Sequence, residues 1–162
     1  MTARVLLERD VQTPEAMHSI GLALAAVLQA GDLVVLTGPL GAGKTTLSRG
    51  IGEGLGVVGT VSSPTFVIAR THKRQRGGAE LVHVDAYRLT SIDEFDDLDI
   101  DLGSNITLVE WGRPFVTDLT ESWLDIEIDR DHTGATETRQ IVVTGFGPRW
   151  VGVELDSRAH LA

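Results

Sequence analysis

The segment Gly38-Pro39-Leu40-Gly41-Ala42-Gly43-Lys44-Thr45 has the spacing G-x-x-x-x-G-K-[ST] of a phosphate-binding loop. Its glycines let successive backbone N–H groups curl around phosphate oxygens, and a helix opening at its end adds a favourable dipole. In such a loop Lys44 contacts the β- and γ-phosphates, the Thr45 hydroxyl ligates Mg²⁺, and Thr46 lies close by, one residue further into the helix. Only two lysines occur in the chain, Lys44 and Lys73, so one standing at this position is unlikely to be accidental. The nucleotide contacts expected from the motif are Gly38, Gly41, Ala42, Gly43, Lys44, Thr45 and Thr46.

A phosphate loop needs an acid on a neighbouring strand end, to hold Mg²⁺ directly or through water and to orient an attacking water. Two residues qualify. Asp85 ends the run Leu81-Val82-His83-Val84, and Glu110 ends Ile106-Thr107-Leu108-Val109. Both would sit at the C-terminal edge of a sheet, where α/β folds bind ligands. Either acid could touch the metal and the other the water. His83 shares the strand face of Asp85 and reads as a hydrogen-bonded, partly buried histidine rather than a ligand. Arg88 could neutralise phosphate or pair with an acid.

The elements that must carry these residues are legible in outline. Thr13-Pro14-Glu15 has the form of a helix start, and Met17, Ile20, Leu24, Val27 and Leu28 recur at helical spacing up to about Gln29. Residues 32–37 form a short apolar run of the kind buried in a parallel sheet, and Gly43 to about Leu55 is the helix behind the loop. Gly50, Gly52, Gly54 and Gly56 weaken its far end by up to about 1 kcal/mol each. Strands are expected at 65–71, 80–85 and 106–110, with a short helix at 92–98 behind Ser91. A hairpin is expected from 123–129 and 138–144, and an irregular tail after Phe146. Strands alternating with helices, then strands alone, give an α/β fold with a mixed sheet.

Composition narrows the class further. A chain of 162 residues with 42% hydrophobic and 23% charged residues is expected to make one soluble domain over 1–162. Cysteine is absent, which excludes disulfides, thiolate metal sites and cysteine nucleophiles. The net charge of -9 argues against stable binding of bare nucleic acid. The longest low-polarity run, Ile20 to Leu28, is about half the length a membrane span needs. A cytoplasmic location is expected.

Taken together, the loop Gly41-Ala42-Gly43-Lys44-Thr45-Thr46, then Ser63-Pro64-Thr65-Phe66, then His83-Val84-Asp85-Ala86-Tyr87-Arg88-Leu89, then Glu110-Trp111 resembles the TsaE (YjeE) family of bacterial ATPases. That family acts in making threonylcarbamoyladenosine in tRNA. The resemblance implies a P-loop NTPase-like three-layer sandwich, with a central, mostly parallel mixed sheet flanked by helices. It implies ATP and Mg²⁺ as cofactors and slow hydrolysis by the chain alone. The implied partners are TsaD and TsaB type proteins, with TsaD the transferase and tRNA met only through the complex. It further implies a switch-like loop at 63–66 with Thr65 its active hydroxyl, Asp85 as the Walker B acid, Glu110 as an acid associated with Mg²⁺, and a functional Trp111. The catalytic set is then Lys44, Thr65, Asp85 and Glu110, the metal set Thr45, Asp85 and Glu110, and the region near Thr13 lies close to the adenine. Two positions depart from the family pattern: Pro39 stands where an acid is common, and Gly112 where proline usually follows the tryptophan.

Two charge clusters complete the reading. Six of the acids fall within residues 93–101 and suit a solvated face or a docking surface; Arg70, Lys73, Arg74 and Arg76 suit a solvated turn or a phosphate contact. A small-molecule kinase could use the same loop, although 111–138 lacks a lid with paired arginines. A GTPase switch is disfavoured, because the only asparagine, Asn105, precedes Ile106 and the guanine-reading N-K-x-D motif is absent. A module that binds nucleotide without turnover would have no use for Thr65, Asp85 and Glu110.

Overall fold

A computed structural model of the chain describes residues 2–62, 68–131, 133 and 135–155. The segment 63–66, and with it Thr65, lies outside the described residues. Along the chain run β1 (Ala3–Val11), α1 (Pro14–Val27), β2 (Leu33–Thr37), α2 (Lys44–Leu55), β3 (Ala69–His72) and β4 (Leu81–Asp85). They are followed by α3 (Ile92–Asp96), β5 (Ile106–Glu110), α4 (Val116–Leu119), β6 (Trp123–Arg130), β7 (Arg139–Phe146) and a 3₁₀ turn at Pro148–Trp150. Thr13 and Ser91 cap α1 and α3 by accepting from the Ala16 and Glu94 N–H groups.

Seven strands make one mixed sheet in the order β1-β7-β6-β2-β5-β4-β3. The four central strands, β6, β2, β5 and β4, are parallel, and antiparallel β3 on one side and β7 with β1 on the other extend the edges. Alternation along β2 explains the layers. Val34 and Leu36 face a core formed with α1 and α2, while Leu33 and Val35 face a second core closed by Phe95 of α3 and Val116 of α4. Leu24, Leu36, Leu47 and Leu108 are each at most 1% exposed, and such burial contributes about 1.5–3 kcal/mol per side chain.

The glycines of α2 do more than weaken it. A Cβ on Gly21 of α1 would meet the Leu47 carbonyl oxygen at 2.5 Å, and one on Gly50 would strike the His18 carbonyl oxygen. The two helices cross backbone to backbone at this point, which fixes α2 behind the loop.

Three further features differ from the sequence expectations. β1 forms an edge strand whose mixed charges and mostly exposed faces hide its periodicity, with a register shift between Val5 and Leu7. α4 is a single turn. Residues 147–155 are anchored rather than irregular: Trp150 is 1% exposed in the α1/α2 core, and Arg149 holds Asp32 through bonds of 2.8 and 3.0 Å.

Candidate nucleotide-binding site

The loop of residues 38–43 leaves the C-terminal end of β2 and enters α2. Gly43 adopts φ +111°, a backbone conformation that side chains disfavour, and so turns the chain into the helix. No side chain caps α2, and its first intrahelical bond is Leu47 N–H to Gly43 O. The N–H groups of Lys44, Thr45 and Thr46 therefore have no helical acceptor, at the positive end of the helix dipole. These three residues line a cleft of about 620 Å³ together with Gly41, Gly43, Asp85, Glu110 and Trp111.

Parallel pairing of β4 with β5 places Asp85 directly opposite Glu110, so both acids reach the same sheet edge as the loop. Their environments differ. Glu110 is 5% exposed; its Oε2 lies 2.8 Å from His83 Nε2, and its Oε1 lies 3.9 Å from Lys44 Nζ. Asp85 is half-buried and accepts the Tyr87 N–H at 3.0 Å. The Lys44 ammonium donates to the Gly38 carbonyl at 2.6 Å and sits 4.4 Å from the Trp111 ring centroid. Burial pushes its pKa below the ordinary lysine value, and the carboxylates of Glu110 and Asp85 oppose that shift.

Trp111 is half-buried and in contact with both Lys44 and Tyr87, whose ring lies in a T-shaped arrangement with its centroid 5.6 Å away. It has φ +62°, a conformation that costs a non-glycine residue on the order of 1–3 kcal/mol. The turn at Trp111 bends the chain directly after Glu110. Arg88 is exposed.

A second cleft of about 320 Å³ lies on the other side of the loop, lined by Thr13, Met17, Gly41, Thr46, Glu137 and Arg139 among others. Thr13 thus lines the same cleft as Gly41 and Thr46 of the loop. Glu137 and Arg139 were not legible from the sequence. Arg139 donates to the Gly41 carbonyl and Arg130 to the Leu40 carbonyl, both at 3.3 Å, so the β6–β7 hairpin braces the loop from 90 or more positions away. Only their charge marked them, and no local motif accompanies it.

The charge clusters are partly used by the fold. Arg74 donates to Leu55 O at 2.8 Å and closes the end of α2, leaving Arg70, Lys73 and Arg76 exposed. Among the acids, Glu94 bonds the Thr90 hydroxyl and Asp101 the Ser104 hydroxyl. Among the described residues, no helix is long and apolar enough to cross a membrane.

Comparison with known proteins places the fold and the family. The family described as "Threonylcarbamoyl adenosine biosynthesis protein TsaE" matches residues 11–141. A tRNA threonylcarbamoyladenosine biosynthesis protein TsaE of Streptomyces coelicolor is 54% identical over 143 residues, covering 86% of this chain and 97% of that protein. The Bacillus subtilis protein of the same name is 38% identical over 140 residues, covering 85% and 84%. The crystal structure of Bacillus subtilis YdiB superposes with a TM-score of 0.73 at 31% identity, covering 93% of this chain and 92% of that one. The chain therefore belongs to the TsaE family of threonylcarbamoyl adenosine biosynthesis proteins.

Proposed function

We propose that this chain binds ATP with Mg²⁺ at residues 38–46 and hydrolyses it slowly, and that this cycle drives a TsaD–TsaB type complex in which TsaD performs the threonylcarbamoyl transfer. One observation carries the reading: unpaired helix N–H groups, the Lys44 ammonium and two carboxylates converge on a single cleft at the sheet edge. The donor set fits the cofactor. Amides and an ammonium suit phosphate, whereas a hydroxyl and carboxylates suit a hard cation.

In this reading Gly38, Gly41, Ala42 and Gly43 shape the cradle, and Lys44 exchanges its bond to the Gly38 carbonyl for phosphate oxygens. Thr45, with Asp85 or Glu110, holds Mg²⁺, and Thr46 supports the phosphates. Mg²⁺ supplies neutralisation of charge on the β- and γ-phosphate oxygens. The second acid orients water, and Thr65 contributes its hydroxyl from the loop at 63–66.

Slow turnover by the isolated chain fits the engagement of three arginines: Arg130 and Arg139 bond loop carbonyls, and Arg113 is fastened to Asp125 and Glu127 at 2.8 and 3.0 Å. A transition-state cation would then come from the exposed Arg88 or from the assembled complex. The same engagement disfavours a small-molecule kinase, which needs lid arginines. tRNA would be met only through the complex, in the cytoplasm.

The test is multiple-turnover formation of threonylcarbamoyladenosine from TsaD, TsaB, threonylcarbamoyl-adenylate and tRNA, with and without this chain. Stimulation by wild type and not by Lys44→Ala is expected. Equal yields with and without the chain would overturn the proposal.

A further inference from the structure

His83 lies at the centre of β4 and is 0% exposed. Its Nε2 is 2.8 Å from Glu110 Oε2, while its Nδ1 is buried without any hydrogen-bond partner. An ionised carboxylate only accepts, so the proton in this contact is assigned to Nε2, and Nδ1, which has no acceptor to donate to, is assigned the lone pair. The neighbouring strand supports the same tautomer. Arg70 stands opposite His83 in the β3–β4 register, with His72 two residues along on the same face, and no carboxylate is paired with Nδ1.

Glu110 thus has two unequal oxygens. Oε2 is held by a buried donor that cannot swing away, because His83 is packed within the sheet. Oε1 is left facing the loop, 3.9 Å from Lys44 Nζ. Without that donor the carboxylate could rotate about its last torsion, which is soft. It would also lose the hydrogen bond that makes a nearly buried charge tolerable.

We infer that His83 is a positioning residue for the site: its Nε2–H locks the Glu110 carboxylate so that a single oxygen, Oε1, is presented to the cation or water held at the phosphate loop. This inference rests on the reading of Glu110 given above. It assigns the histidine a role in orientation only, with no contact to substrate. Outer-shell partners of this kind typically contribute 10–100-fold to metal affinity or activity.

The test compares full-length wild type, His83→Gln and His83→Leu. Glutamine can place an amide N–H near the position of Nε2, whereas leucine fills similar space with no donor. Long-range ¹H–¹⁵N correlation of the wild-type imidazoles should show His83 protonated at Nε2 and bare at Nδ1. Mn²⁺ titration by electron paramagnetic resonance, with a non-hydrolysable ATP analogue bound, should show affinity reduced about 10-fold or more in His83→Leu and within about threefold of wild type in His83→Gln. Phosphate release should follow the same order. A proton on Nδ1 in wild type would overturn the inference without any variant. So would wild-type Mn²⁺ affinity in a folded His83→Leu, or an equal defect in both variants, which would mean packing alone. If Mn²⁺ affinity depends on His83 as described but wild type releases no phosphate, the positioning role stands and the hydrolysis reading falls.

Discussion

Replacing Arg149 with methionine should destabilise the protein strongly while leaving nucleotide binding intact. Arg149 donates to both oxygens of Asp32, at 2.8 and 3.0 Å, and to the Val27 carbonyl at 2.7 Å. The Asp32 side chain is 4% exposed, and among the described residues its one other donor is the Gln29 N–H at 2.9 Å. Methionine keeps an unbranched apolar stem but loses the guanidinium, which lies 4.2 Å from the Trp150 ring centroid, and leaves a buried carboxylate with only its Gln29 hydrogen bond. Breaking such a pair costs about 3–5 kcal/mol. The Arg149 side chain is 23% exposed and the Gln29 bond survives, which places the loss at the lower end, about 3 kcal/mol. For a chain of this size that is a melting temperature lower by about 6–12 °C. Urea unfolding of Arg149→Met, Asp32→Asn and the double variant measures it, and the double variant should cost about 1–2 kcal/mol less than the sum of the singles. Asp32 precedes β2 while the phosphate loop follows it, so ATP affinity by calorimetry should stay within twofold. A loss below about 1 kcal/mol, or strict additivity, would refute the reasoning.

Two other substitutions probe the fold around the site. Gly50→Ala should lower stability by about 1–3 kcal/mol despite the better helix propensity of alanine, because its Cβ enters the His18 carbonyl; an unchanged or higher urea midpoint would contradict this. In the β6–β7 turn, hydrogen bonds from Thr133, and then Thr136, pull the Asp131 carboxyl down from 3.8 to about 2. Since the folded value is the lower one, the support this carboxylate gives the turn is complete above 3.8 and fades as pH falls toward 2. Carboxyl ¹³C titration should find Asp131 still ionised near pH 3, and Thr133→Val should raise its midpoint. An ordinary midpoint in wild type would contradict the turn geometry.

The parts of the site that are legible in sequence are those whose chemistry demands contiguous residues. The phosphate loop must bring backbone N–H groups, a lysine and a hydroxyl together within eight positions, so Gly38 to Thr45 reads directly. Asp85 and Glu110 are legible because each ends a mostly apolar run, and the parallel register of β4 with β5 then sets them side by side. What sequence hides is pairing across distance. Arg149 meets Asp32 across 117 positions, and Arg139 meets Gly41 across 98; no local pattern announces either. β1 is hidden for another reason, since an edge strand carrying Arg4, Glu8, Arg9 and Asp10 lacks the alternation that a half-buried strand shows. The glycines of α2 read as weakness until the crossing of α1 at Gly21 and Gly50 supplies their use.

The central claim is that Lys44 and the two strand-end acids form one ATP·Mg²⁺ site in which binding and turnover can be separated. Calorimetric titration of ATP with Mg²⁺ into wild type, Lys44→Ala and Glu110→Ala, followed by phosphate release from the same samples, tests it directly. Losing the charged hydrogen bonds of Lys44 should weaken ATP by about 10–150-fold. Glu110→Ala should release phosphate at least about 10-fold more slowly than wild type, measured at saturating ATP and Mg²⁺ so that weaker metal binding is not read as lost turnover. Unchanged ATP affinity in Lys44→Ala, or wild-type turnover in Glu110→Ala, would contradict the assignment of the site.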